Sequence, residues 1–308
     1  MLGDYLRLVR LPNVFTIPSN ILAGHFALVM PFHANALQLF LLVSSSMLIY
    51  ISGIVFNDYF DIETDLKERP YRPLPSGKIA KRTAFTIGVA SMISANLITF
   101  GAGLNSCIVS SLISAIVIVY DYKLKRTKAG PIAMGLARSL NVILGATPAE
   151  YLVLQNYNLL VRIIFISLSA FAYTFSISLL SRKEVQLYVD QKEQQKIIQT
   201  NRSAVAMSFS IVFGIIASFI FLVFLRIFNI QLFINLILFS VIMVIILLKQ
   251  VRARYSSSSL QDGIKYMVIG IIVFDSVFIT GVAGLYYGLS VLILGIPAVI
   301  LSRRLYVT

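Results

Sequence analysis

Ten apolar blocks separated by short polar connections set the terms for this chain. They run at 14–30, 36–56, 83–102, 104–120, 131–149, 157–180, 203–226, 231–248, 264–287 and 289–302. A bilayer core needs about 20 consecutive apolar residues per crossing helix, and most of the blocks approach that length. The blocks at 104–120, 131–149 and 289–302 are short, and the last reads either as a broken continuation of the ninth or as a return span. The expected fold is therefore an all-α integral membrane bundle of nine transmembrane helices, or ten if the last block crosses by itself. Of the 308 residues, 58% are hydrophobic and only 13% charged, against about a quarter charged in soluble domains. The spans leave no room for a soluble domain, so residues 1–308 read as one transmembrane domain.

A net charge of +13 invites a nucleic-acid reading, but the positions of the charges exclude it. The connections at 31–35, 103–104, 150–156, 227–230 and 287–289 hold no Lys or Arg, and only Arg138, Arg162 and Arg226 lie outside the opposite set of connections and termini. By the positive-inside rule, the N-terminus and the basic connections are expected at the cytoplasmic face of the cell membrane, in a multi-pass protein. Arg303 and Arg304 after the last block favour a return to that face, hence ten passes. Arg7 and Arg10 precede the first block without a small-residue cleavage site, which reads as a retained first helix. The single cysteine, Cys107, excludes an intrachain disulfide, and His25 with His33 are too few for a zinc site. Ser256–Ser259 reads as a flexible surface turn. No feature fixes an oligomeric state.

Most acids lie at the same end, and one run of them carries chemistry. Asn57, Asp61 and Asp65, in NDYFDIETD, are spaced i, i+4, i+8 where the second block ends. On a continuing helix they stack along one face, and oxygen ligands on a rigid helix suit Mg²⁺, which takes one or two carboxylates and completes its shell with water and phosphate. The following KERPYRPLPSG changes character: Pro70, Pro73 and Pro75 end the helix and hold Arg69 and Arg72 in a stiff, extended segment. Arginine forks match phosphate oxygens. Acids for a metal followed by arginines for phosphate describe a diphosphate clamp. Because the first acids follow the apolar block directly, next to membrane depth where ionisable groups are costly and usually functional, a merely solvated loop explains them poorly.

The run NDYFDIETDLKERPYRPLPSG closely resembles the first aspartate-rich motif of the UbiA superfamily of intramembrane prenyltransferases, and span count and topology agree along the whole chain. The resemblance implies a polyprenyl diphosphate held through Mg²⁺ at the cytoplasmic mouth of the bundle, with its tail in a cavity open to lipid. Asn57, Asp61 and Asp65 would then hold the metal. In Tyr120-Asp-Tyr-Lys-Leu-Lys-Arg126, Lys125 and Arg126 are candidate phosphate contacts, though membrane anchoring explains these charges equally well. The second acidic motif departs from the family: Ser181-Arg182-Lys183-Glu184-Val185 offers Glu184 as the one carboxylate placed for metal, Ser181 on its face, and Arg182 and Lys183 as direct charges for diphosphate. This run resembles the EboC-like subgroup.

Inside the bundle, Arg138 and Asn141 lie one turn apart, lining a cavity or pairing with a residue such as Asp275; Asn13 is a weaker candidate of the same kind. The function implied is Mg²⁺-dependent transfer of a prenyl group to an unidentified acceptor, aromatic among the options, with Asp61, Asp65 and Glu184 central to it. No general base stands out; Asp121 or water takes the proton. A membrane carrier that binds the isoprenoid diphosphate without turning it over is the alternative.

Overall fold

The chain opens with α1 (Leu2–Leu8), α2 (Leu11–Val14) and α3 (Thr16–Leu28). There follow α4 (Ala36–Phe60), α5 (Ile62–Glu68), α6 (Lys81–Phe100), α7 (Leu104–Tyr122), α8 (Gly130–Ala146), α9 (Tyr157–Ser181), α10 (Gln191–Phe224), α11 (Leu232–Arg252), α12 (Ser257–Ala283), α13 (Leu285–Val291) and α14 (Gly295–Ser302). This computed structural model describes residues 2–28, 35–153, 156–181, 191–303 and 305, the side chains of 191–197 excepted. No strand occurs among the described residues. Nine stretches among them, from Ala36–Phe60 to Leu285–Ser302, are long and apolar enough to cross a membrane. α3 is additional to these nine.

Though short, α3 is the axis of the bundle. All its residues except Pro18 and Leu22 are buried, and it packs between α4, α8, α9 and α12. That contact depends on two glycines, since a Cβ on Gly24 would collide with the Val142 carbonyl and one on Gly145 with the Ile21 carbonyl. Without a hydrophobic effect between helices in lipid, such close backbone approach is the main source of cohesion. Around α3, an aromatic core joins α9 to α12, with Tyr173 stacked on Phe274 at 4.6 Å and its hydroxyl donating to the Met267 carbonyl at 2.9 Å. A second core joins α4, α6 and α7 through Leu42, Ile49, Ala95 and Ile113.

The last block is a return span, not a continuation of α12. Gly284, at φ 101°, breaks the helix in a conformation that favours glycine. α13 then folds back so closely that a Cβ on Gly288 would strike the Thr280 hydroxyl. Lys265, near the start of α12, donates from Nζ to the Ser302 carbonyl at 2.7 Å, so the far ends of the two segments meet. The serine run also differs from expectation: Ser256 caps α12, accepting from the Ser259 N–H, and residues 257–259 are its first turn.

Candidate active site

The acidic motif sits where α4 gives way to α5, with Asp61 at the junction (φ −93°, ψ 6°). The hydrogen-bond ladder nevertheless runs on: the Asp61 N–H donates to the Asn57 carbonyl at 3.1 Å, Asp65 to Asp61 at 2.8 Å and Arg69 to Asp65 at 2.8 Å. At about 100° per residue, Asp65 stands about 80° round the helix from Asn57 but only about 20° from Asp58. The side chains accordingly sort into two adjacent groups.

The first group gathers on the 3₁₀ turn Leu124–Arg126 that follows α7. Lys125 Nζ lies 2.6 Å from Asp61 Oδ2 and 3.4 Å from Asn57 Oδ1. Arg126 Nη2 donates to Asp61 Oδ1 at 3.2 Å and to Thr64 Oγ1 at 3.1 Å. Lys125 is largely enclosed, its side chain 12% exposed, whereas that of Arg126 is 68% exposed. The Asn57 and Asp61 oxygens thus converge on one cationic point.

The second group is buried. Arg72 Nη1 lies 2.8 Å from Asp65 Oδ2 and 3.3 Å from Asp58 Oδ1, and Arg10 Nη2 reaches the same Asp58 oxygen at 3.1 Å. The other arm of Arg72, Nη2, is buried without a hydrogen-bond partner. Burial, and then the neighbouring Arg10 charge, lower the Arg72 pKa against the pull of Asp58 and Asp65; a guanidinium stays protonated all the same. Arg10 itself adopts the left-handed conformation (φ 46°), a strain usually tolerated where position matters.

The proline segment carrying Arg72 is folded into successive turns and is not extended. Its N–H groups are satisfied locally, Arg72 by the Arg69 carbonyl, Ser76 by Arg72 and Ile79 by Pro73. Leu74 and Ile79 are buried against Leu8, Val55 and Ala84, which presses Arg72 inward. Arg69 closes α5 half-buried, close enough for its charge to act on Arg72.

Asp121, near the end of α7, is 2% exposed. Its Oδ2 has no hydrogen-bond partner, and its carboxylate lies within the field of Lys125 and Asp61. Deeper in the bundle, the Tyr50 side chain is hydrogen-bonded to Asn13 and in the fields of Arg10 and Arg138. A cavity of about 100 Å³ is lined there by Tyr50, Ser46, Arg138 and Asn141 among apolar neighbours. Asn141 donates to Asn20 Oδ1 at 2.9 Å and accepts from Ser46 Oγ. Arg138 both lines this cavity and faces Asp275, whose Oδ2 accepts from Ser19 Oγ at 2.6 Å. The two readings of Arg138 are thus compatible.

The structure therefore joins Asn57 and Asp61 to Lys125 and Arg126, and sets Asp65 with Arg72 beside them. Ser181 ends α9, its hydroxyl donating to the Ser178 carbonyl at 2.9 Å. Arg182, Lys183 and Glu184 lie outside the described residues. Sequence reasoning overlooked Asp58, Arg10 and Tyr50. A signal for Asp58 existed, since it precedes Asp65 by seven residues, two helical turns. Arg10 and Tyr50 carried none, as their relation to the motif is purely tertiary.

Among the described residues no three His, Cys, Asp or Glu side chains gather as a metal cage. Mg²⁺ needs less: one or two carboxylates, with water and substrate phosphate for the rest. Asn57 Oδ1 and Asp61 Oδ2 already share one cation, the Lys125 ammonium, so the donor set fits such an ion.

Residues 18–272, most of the chain, match the UbiA prenyltransferase family. The chain belongs to that family. It is 31% identical over 182 residues to digeranylgeranylglyceryl phosphate synthase of Saccharolobus solfataricus, covering 56% of this chain and 60% of that protein. The protein of the same name from Methanosphaera stadtmanae is 27% identical over 282 residues, or 88% and 96%. The matched stretches span 60%, 42% and 51% of three relatives, the first of them the Saccharolobus protein. The UbiA fold itself is seen in a UbiA homolog from Archaeoglobus fulgidus bound to DMAPP and Mg²⁺, which superposes with a TM-score of 0.57 at 15% identity, covering 94% of this chain and 98% of that one. A structure of digeranylgeranylglyceryl phosphate synthase gives 0.64 at 19% identity, over 92% and 99%. None of these distinguishes the EboC-like subgroup.

Proposed function

We propose that this UbiA protein transfers a prenyl group from a polyprenyl diphosphate to a nucleophilic acceptor, at the end of the bundle where Asp58, Asp61 and Asp65 meet Arg72, Lys125 and Arg126. One observation carries the reading most: a buried arginine, Arg72, has a free Nη2 beside two carboxylates at a membrane mouth. That donor suits an oxyanion brought by a ligand, and a diphosphate at a helix end supplies several. The Archaeoglobus homolog bound to DMAPP and Mg²⁺ supports both the donor class and the cofactor.

Asn57 and Asp61 would hold Mg²⁺, with Asp65 on the adjoining side. When bound, the ion acts as a Lewis acid on the diphosphate. Lys125, Arg126 and Arg72 place positive charge where the leaving group gains it, and such preorganised charge is usually the largest catalytic term. The allylic C–O bond breaks, the acceptor forms the new bond to that carbon, and diphosphate departs. The acceptor's proton goes to Asp121, whose buried Oδ2 is unpartnered beside the cluster, or to water. The cavity lined by Tyr50, Arg138 and Asn141 positions acceptor or tail. Basic residues crowd this end, so the positive-inside rule puts it at the cytoplasmic face.

The test is incubation of the detergent-solubilised chain with labelled prenyl diphosphate, Mg²⁺, and aromatic and glycerol-phosphate acceptors. Transfer with stoichiometric diphosphate release is expected. Tight binding of the diphosphate without release, across all acceptors, would replace this reading with that of a carrier.

A further inference from the structure

On the outer side of α12, away from the acidic cluster, lies an apolar groove of about 690 Å³. Its walls are α11 from Leu238 to Lys249, α12 from Tyr266 to Val273, and the last span from Leu292 to Ile300. Each wall presents residues three or four apart, one face of a helix. None of them belongs to the site described above. The inward side of α12 carries Phe274, Asp275 and Phe278, all buried.

The ends of the groove differ. From Leu238 to Lys249 it runs about 16 Å at ~1.5 Å per residue, half of a hydrocarbon core about 30 Å thick. It therefore occupies one leaflet. At the basic end it shares Ile246, Lys249 and Tyr266 with a second hollow of about 380 Å³, whose lining adds Arg252, Asp262 and Ser259. Lys249 Nζ stands over the Tyr266 ring at 5.2 Å. Neither Lys249 nor Arg252 forms an ion pair among the described residues. Among the described residues that line the hollow, two cations stand against the single Asp262, which leaves the mouth positive.

The outer wall belongs to the return span, whereas the match to the UbiA family ends at residue 272. Gly284, Gly288 and the Lys265–Ser302 hydrogen bond hold this span against α12 and so create the groove. We propose that the groove is a binding site for an anionic glycerophospholipid, acyl chain between α11, α12 and the last span, phosphate at Lys249 and Arg252. A lipid tail satisfies the apolar walls, and its phosphodiester meets Lys249 and Arg252, which form no ion pair among the described residues.

The experiment is native mass spectrometry of the delipidated full chain in micelles offered equal phosphatidylglycerol and phosphatidylcholine. Each basic side chain at an anionic lipid surface is worth about fivefold in affinity, so a preference of about twenty-five-fold for phosphatidylglycerol is expected. K249Q/R252Q should bring the two lipids to near parity. Gly295 is helical and a Cβ there meets nothing within 4 Å, so Gly295→Phe should narrow the groove and reduce retention of both lipids while the chain stays folded. No preference in the unaltered chain, or a preference that survives K249Q/R252Q, overturns the proposal. So does displacement of the lipid by equimolar prenyl diphosphate, which would make the groove a substrate site. A change in oligomeric mass with Gly295→Phe would assign it to a second copy.

Discussion

Replacing Arg72 with methionine separates the structural from the chemical part of the mouth. The change keeps bulk but removes the guanidinium that lies 2.8 Å from Asp65 and 3.3 Å from Asp58. Asp58 keeps Arg10 at 3.1 Å; Asp65, 3% exposed, loses its one ion pair among the described residues and keeps only the more distant charge of Arg10. Breaking a buried pair by removing one partner costs about 3–5 kcal/mol. Thermal unfolding in detergent should show R72M lower than the parent by on the order of 10 °C at pH 7. The double variant D65N/R72M, which also removes the buried charge left by the first change, should recover most of that stability. An R72M midpoint equal to the parent's, or a double variant as weak as R72M, would refute the argument.

Three further outcomes follow from the same geometry. Asp61→Asn, which takes charge from the Lys125–Arg126 pair, should lower prenyl transfer by about a hundredfold and raise the Mg²⁺ concentration needed for half-activity; chelation should abolish turnover and added Mg²⁺ restore it. Arg126→Ala should change the unfolding midpoint by less than about 1 kcal/mol equivalent, because its exposed ion pair is screened, yet slow transfer measurably if Arg126 meets the diphosphate. Gly145→Val forces a side chain into the Ile21 carbonyl and should abolish monodisperse expression, while Gly214→Val, where a Cβ meets nothing, should leave it intact.

The sequence by itself determined the membrane-spanning class, most of the helical elements and the end of the bundle at which charged residues gather, because hydropathy and charge are local along the chain. It determined the residues of the first acidic motif for the same reason. What it left undecided is spatial. Asn57, Asp61 and Asp65 share an i, i+4, i+8 rhythm, yet about 80° of helical drift sends Asp65 to Arg72 while Asp61 takes Lys125. The partners of Asp58, Arg10 and Arg72, lie 48 and 14 positions away along the chain and meet it only in the fold. The proline segment read as extended, and its turns appear only when its N–H groups are counted. Whether the last block turned back along α12 depended on Gly284 and on one hydrogen bond between Lys265 and Ser302. Local pattern decides which segments are helices; which side chains meet depends on crossing contacts such as Gly24 on Val142 and Gly145 on Ile21, where the cost of a single Cβ dictates the packing.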